Sequence, residues 1–212
     1  MYLPAMFQET RPAVLRELIA AHPLGALVTT SQGALNAEHI PFDVVPGGEP
    51  FVALRGHVAR SNPLVAAGST PAGESLVIFQ GPAAYVSPSH YPSKQVAGKV
   101  VPTWNYAVVH VYGRLRFVHD PSWLLDLVTS LTRQQERNRA QPWHVSDAPA
   151  SFIDPLLEAI VGVELEVTRV LGKWKMSQNR SAVDRAGVVD GLGNEVDGAA
   201  RAVAAWMRDN PK

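Results

Sequence analysis

The chain has 212 residues and a mass of 22.9 kDa, enough for one domain with a real hydrophobic core, or for such a domain with a small helical appendix. Hydrophobic residues at 46% and charged residues at 18% exclude a disordered or low-complexity chain. Nineteen Lys plus Arg against nineteen Asp plus Glu exclude a global basic field for nucleic acid or anionic lipid, and the absence of cysteine excludes disulfides, thiolate nucleophiles, zinc ribbons and iron–sulfur clusters.

In chain order, Thr10 and Pro12 open a helix that places Val14, Leu15, Leu18 and Ile19 on one face and ends at His22-Pro23. From Leu24 to Val118 the texture is that of successive antiparallel strands, with runs at Ala26–Thr30, Ala37–Val45, Phe51–Val58, Leu76–Gln80 with Ala83–Val86, and Ala107–Val118. The last run alternates Val109, Val111, Leu115 and Phe117 against His110, Tyr112, Arg114 and Arg116, which predicts one core face and one wet face. Asp120-Pro121-Ser122 opens a second helix carrying Trp123, Leu124, Leu127, Val128 and Leu131. A third helix is expected from Phe152 to Val161, with Pro155 in its first turn or kinking it. A strand through Val163, Leu165 and Val167 then ends near Gly172, and a helical tail runs from Ser181, broken around Gly191–Gly193. Glycines 187, 191, 193 and 198 read as turn residues. Strands in succession with helices at the ends predict a mainly β fold with flanking helices, an antiparallel barrel.

Several chemistries leave no trace. There is no Walker loop, no dinucleotide fingerprint and no nucleophile elbow. The histidines show no metal-ligand spacing, and no helix-turn-helix is present. Arg133, Arg137 and Arg139 form the densest basic segment outside the strands. The N-terminal stretch MYLPAMFQETRP has no basic region leading into an apolar run, and no unbroken apolar stretch reaches about 18 residues. The expectation is a soluble, cytoplasmic protein with no membrane partner.

Three segments carry polar residues where plain strands would not. In LRGHVARSNP, Arg55 and His57 share one strand face around Gly56, and Arg60, Ser61 and Asn62 add the donors a phosphate monoester needs; an ordinary strand end with a capped turn reads equally well. In KVVPTWNY, Thr103, Trp104, Asn105 and Tyr106 offer stacking surface and polar edges to a planar heterocycle. In GKWKMSQNR, three positive charges precede a helix start near Ser181, as a solvated connection or as an anion-facing one.

GHVARSNP, VIFQGPAAYVSPSHYP, VPTWNYAVVHVYGRL and GKWKMSQNR, in that order, resemble the PaiB family, described as FMN-binding negative transcriptional regulators. The likeness runs from MYLPAMF to about Leu192, and VPTWNY and KxSQNR are its specific motifs. The resemblance implies an FMN-binding split β-barrel over residues 1–180, with residues 181–212 as a C-terminal helical extension packed on it. It also implies a homodimer with the flavin site at the subunit interface, as in pyridoxamine-phosphate oxidases and flavin reductases. By segment, it assigns phosphate contacts to Arg55, His57, Arg60 and Asn62, and flavin-ring or ribityl contacts to Thr103, Trp104 and Asn105. Lys175, Gln178 and Asn179 would close the site from the same or the partner subunit.

Two functions follow as expectations. One is an FMN-dependent oxidoreductase of flavin reductase or oxidase type, in which the protein orients the flavin and no side chain need act as a general acid. The other is the regulator named by the family, acting through a protein partner, since charge and motif do not support direct DNA readout. A split barrel holding haem, with His39, His57, His90 or His110 as axial ligand, ranks third.

Overall fold

The computed structural model describes residues 1–31, 33–66 and 73–210. Its elements are β1 (Gln8–Glu9), α1 (Pro12–Ala21), β2 (Leu24–Ser31), β3 (Ala34–Pro41), β4 (Asp43–Val45), β5 (Ala53–Ala59), α2 (Pro63–Ala66), β6 (Glu74–Val86), α3 (Ser93–Ala97), β7 (Thr103–Val118), α4 (Pro121–Glu136), α5 (Ala150–Glu158), β8 (Ile160–Lys175), α6 (Ala182–Gly193) and α7 (Gly198–Asp209). The strands form one sheet in the order β3-β2-β6-β7-β8-β5-β4, with β1 added on β8. This is the antiparallel barrel with flanking helices that the succession of strands predicts, in the split form that the family resemblance implies.

By internal contacts the chain divides into two compact units, one of residues 1–18, 80–109 and 171–212, the other of residues 19–79 and 110–170. Strands β6, β7 and β8 each contribute residues to both.

In the second unit, β2 and β3 pair from Leu24↔Pro41 to Ser31↔Ala34, and Ala26–Val28 pair on the other side with Ile78–Leu76 of β6. β5 lies between β4 and β8, with Arg55 opposite Asp43 on one side and Glu164 on the other. Leu27, Phe42, Leu54, Phe79, Val161, Val163 and Leu165 are wholly buried here, each worth about 2 kcal/mol of transfer free energy. Gly113 lets β7 come close to β8, because a Cβ there would collide with the Glu166 carbonyl and the Leu165 side chain. Gly162 makes room for the Trp123 indole of α4 in the same way. Asp120 caps α4 by accepting from the Trp123 amide at 2.8 Å.

In the first unit, β1 joins β8 through Gln8↔Lys173 and Glu9↔Gly172. The carboxylate of Glu9 holds Arg11 at 2.6 Å. Val188 and Leu192 of α6 and Val203 and Met207 of α7 are buried, and Trp174 meets Trp206 at 6.2 Å between ring centroids. Arg185 donates to the carbonyls of Met207 and Asn210, closing the end of α7. Asp184 accepts from the amide and hydroxyl of Ser93, which ties α6 to α3.

Four local expectations change. The run Ala37–Val45 is two strands, because Phe42 turns fully inward and its amide donates to the Pro23 carbonyl at 2.9 Å. Ile160 and Val161 open β8 rather than closing a helix, since α5 stops at Glu158, and Pro155 sits past its first turn. Gly187 and Gly191 are not turn residues: they lie inside α6, where a side chain would collide with His90 and Pro92. β8 runs on to Lys175, past the expected end at Gly172.

Candidate functional site

The first unit holds a cleft of about 320 Å³ lined by Tyr2, Pro4, Phe7, Thr103, Trp104, Tyr106, Lys173 and Lys175. Strand periodicity explains the set. Trp104 and Tyr106 are two residues apart on β7, Lys173 and Lys175 two apart on β8, so each pair shares a face. Trp104 is 56% exposed, and its ring meets Tyr85 edge-on at 6.1 Å.

Lys175 Nζ donates to Thr103 Oγ1 and to the Trp104 carbonyl at 2.6 Å, which leaves its third donor for a ligand. Partial burial, with Lys173 and Arg180 nearby, lowers its pKa from the ordinary lysine value. Lys173 is buried and donates to the Tyr2 carbonyl at 3.0 Å, with its ammonium 5.4 Å from the Tyr106 ring centre and 5.8 Å from that of Tyr2. Two ammonium groups held by carbonyls, a hydroxyl and aromatic faces suit a flat, anionic or electron-poor ring system. A flavin meets that description.

The remaining residues of this segment hold it in shape. Asn105 is wholly buried and donates from Nδ2 to Ser177 Oγ at 3.0 Å and to Met207 Sδ at 3.4 Å. That bond fixes Ser177, whose φ of 60° is left-handed. Gln178 accepts from the Met176 amide and donates to the Trp174 carbonyl, each at 2.6 Å. Asn179 is exposed beside them, and the Arg180 guanidinium lies 4.8 Å over the Tyr91 ring.

Arg55, His57, Arg60 and Asn62 belong to the second unit. Arg55 donates to Asp43 at 2.7 Å and stands across from Glu164, which accepts from Arg116 at 2.6 Å. The result is a ladder of alternating charge, Asp43–Arg55–Glu164–Arg116, over strands β4, β5, β8 and β7. Arg60 donates to the carbonyls of Glu158, at 2.5 Å, and Ile160, at 3.1 Å, at the end of α5. Asn62 Oδ1 accepts from the Leu64 amide at 2.8 Å, closing the turn into α2. On β5 two buried atoms have no hydrogen-bond partner, Arg55 Nε and His57 Nδ1, and the Arg55 guanidinium lies 5.8 Å from the Trp123 ring centre. Arg55 Nε carries a proton and His57 Nδ1 carries one in one neutral tautomer, so each matches a phosphoryl oxygen in its donor form. Burial lowers the His57 pKa below its ordinary value.

Residue types point to Thr103 and Trp104 and the family resemblance to Lys175, and the fold brings these three together. Lys173 is read from the sequence only as one of three positive charges in a connection, and the extension of β8 to Lys175 puts it on the strand beside the cleft. Tyr2 and Phe7 carry no sequence signal, since only the pairing of β1 with β8 brings the N-terminal segment to the cleft. Of the basic segment Arg133, Arg137 and Arg139, Arg139 pairs with Glu136 at 2.9 Å, and Arg133 shares a groove with Asp126 and Asp154.

Residues 1–169 match the family model described as "Putative FMN-binding domain". The chain is 31% identical to the protease synthase and sporulation protein PAI 2 of Bacillus subtilis, over 100% of this chain and 99% of that one. It is 35% identical to an uncharacterized protein of Emericella nidulans, over 99% of this chain and 97% of the relative. Among solved structures it resembles the FAD and heme binding protein from Mycobacterium smegmatis, with a TM-score of 0.60 and 15% identity over 92% of this chain and 96% of that one. That likeness establishes the fold, and the family match and the Bacillus relative establish the lineage: the chain belongs to the FMN-binding split-barrel family of PaiB type.

Proposed function

We propose that the first-unit cleft holds the flavin ring, with Trp104 and Tyr106 as its aromatic wall and Lys175 donating to a polar ring edge. The observation that carries this reading is Lys175 itself, a partly buried ammonium fixed by Thr103 and the Trp104 carbonyl, with one donor to spare. Lys173 adds a second positive charge, and Asn105 and Gln178 keep the Trp174–Asn179 segment in the shape the cleft requires. FMN, when bound, supplies hydride and electron transfer. The chain supplies orientation, a positive potential and a surface that excludes water from one ring face. No acid or base among the lining residues is needed for that work.

Contacts to the phosphoryl group from Arg55, His57, Arg60 and Asn62 are a separate part of the proposal, supported by the unpartnered Arg55 Nε and His57 Nδ1. The test is an absorbance spectrum after FMN loading and desalting, followed by titration of Lys175→Met. Wild type should retain about one flavin per chain, and the variant should bind at least about tenfold more weakly, as loss of a charged hydrogen bond implies. Equal affinity in the two would refute the placement.

Redox turnover with a nicotinamide donor, a homodimer and a cytoplasmic setting complete the reading. A regulatory role is proposed on the family label, through a protein partner, because net charge is zero and Glu136 pairs with Arg139 in the basic segment. Among the described residues no helix is long and apolar enough to cross a membrane.

A further inference from the structure

The second unit contains a groove of about 640 Å³ between α4 and α5 that the flavin reading does not use. That volume is typical of small-molecule sites. Leu125 and Ile153 give it an apolar lining, α4 contributes Asp126 and Arg133, α5 contributes Asp154, and the segment before α5 adds the His144 imidazole. Seven residues are nearly two helical turns, so Asp126 and Arg133 share a face of α4 about 10 Å apart along its axis. Among the described residues, neither they nor Asp154 forms an ion pair within the groove or outside it.

The lining limits the ligand class. Two carboxylates disfavour a phosphate or a nucleic-acid backbone, Arg133 disfavours a simple polycation, and the apolar lining rewards side chains that leave water. A zwitterion with an apolar body and well-separated charged ends satisfies all three. Extended backbone advances roughly 3.3–3.6 Å per residue, so two or three residues span the distance along α4. We propose that the α4–α5 groove binds a short apolar peptide with free ends, its ammonium at Asp126 and its carboxylate on the Arg133 guanidinium. Arg133 can grip the carboxylate with two parallel donors, while Asp154 adds negative potential from the facing wall.

The experiment is calorimetric titration of the full, FMN-loaded chain with Ala-Leu-Ala, its N-acetyl form and its C-terminal amide. Saturable binding of the free peptide is expected, weakened about tenfold or more by either cap, as loss of one charged contact implies. Arg133→Gln should lose the same factor for the free peptide and nothing further for the amide, which ties the carboxylate to that residue. Because Arg133 is exposed, the variant should melt with wild type, and a thermal scan checks this. Absence of saturable heat at about 10 mM peptide would overturn the proposal, since charged contacts of this kind carry roughly millimolar affinity or better. So would indifference to the caps, or an Arg133→Gln variant that still distinguishes acid from amide. None of these readouts depends on where the flavin binds.

Discussion

The two units handle charge in opposite ways. In the second, the Asp43–Arg55–Glu164–Arg116 ladder sets each charge beside its opposite across neighbouring strands. In the first, Lys173 and Lys175 are satisfied by carbonyls, a hydroxyl and aromatic rings, so their positive charge is not neutralised by these contacts. Cross-strand pairs of opposite charge secure strand order and spend their field on each other. Cations held by neutral dipoles keep a field that a ligand can use, and their desolvation costs folding free energy.

The sharpest way to break the second unit is at its strand contact rather than its charges. Gly113→Ala forces a methyl group against the Glu166 carbonyl and Leu165, and should cost about 3 kcal/mol or more in a denaturant melt, or prevent folding. Next comes the ladder. Arg55→Met leaves Asp43, 13% exposed, without its partner and should cost about 3 kcal/mol, while adding Asp43→Asn should recover most of it. If FMN affinity is still reduced in the double variant, Arg55 contacts the ligand as well as the ladder; if it returns to the wild-type value, the ladder is its whole role.

The first unit should answer in the reverse sense. Lys175→Met removes a charge whose pKa burial has lowered, so the empty protein should melt at the same temperature or higher while FMN binding weakens. The same shift fixes a pH dependence. Binding that needs the ammonium should fade as pH rises through a value below that of an ordinary lysine, and the variant should lose this limb in fluorescence titrations.

The smallest effect belongs to His57. Its folded pKa lies below 6.5, so on acidification the unfolded chain takes up the proton first and stability falls as pH drops from about 6.5 through the lowered value. His57→Asn should flatten that acid limb in melts across pH. An unchanged limb would mean that other groups carry it.

Alternation made much of the sheet readable. Val109, Val111 and Leu115 against His110, Tyr112 and Arg114 is a period that only a strand with one core face satisfies, and Asp120-Pro121 reads as a helix start from local chemistry alone. Boundaries failed where a long-range contact outweighed local preference. Phe42 breaks its strand because the core has room for its ring, and Gly187 and Gly191 stay helical because His90 occupies the space a side chain would need. The candidate site divides in the same way. Thr103 and Trp104 are legible by residue type and Lys175 through the family motif, whereas the burial of Asn105 against Ser177 shows only in the tertiary structure.

By itself, then, the sequence determined the strand succession, the helix starts and the family, because propensity, periodicity and motif spacing are local properties of the chain. Tertiary structure alone decided which partners each charge takes. Arg55 and Lys175 look equally like anion ligands on paper. They part company only when strand pairing sets Asp43 and Glu164 beside one, and Thr103 and a backbone carbonyl beside the other.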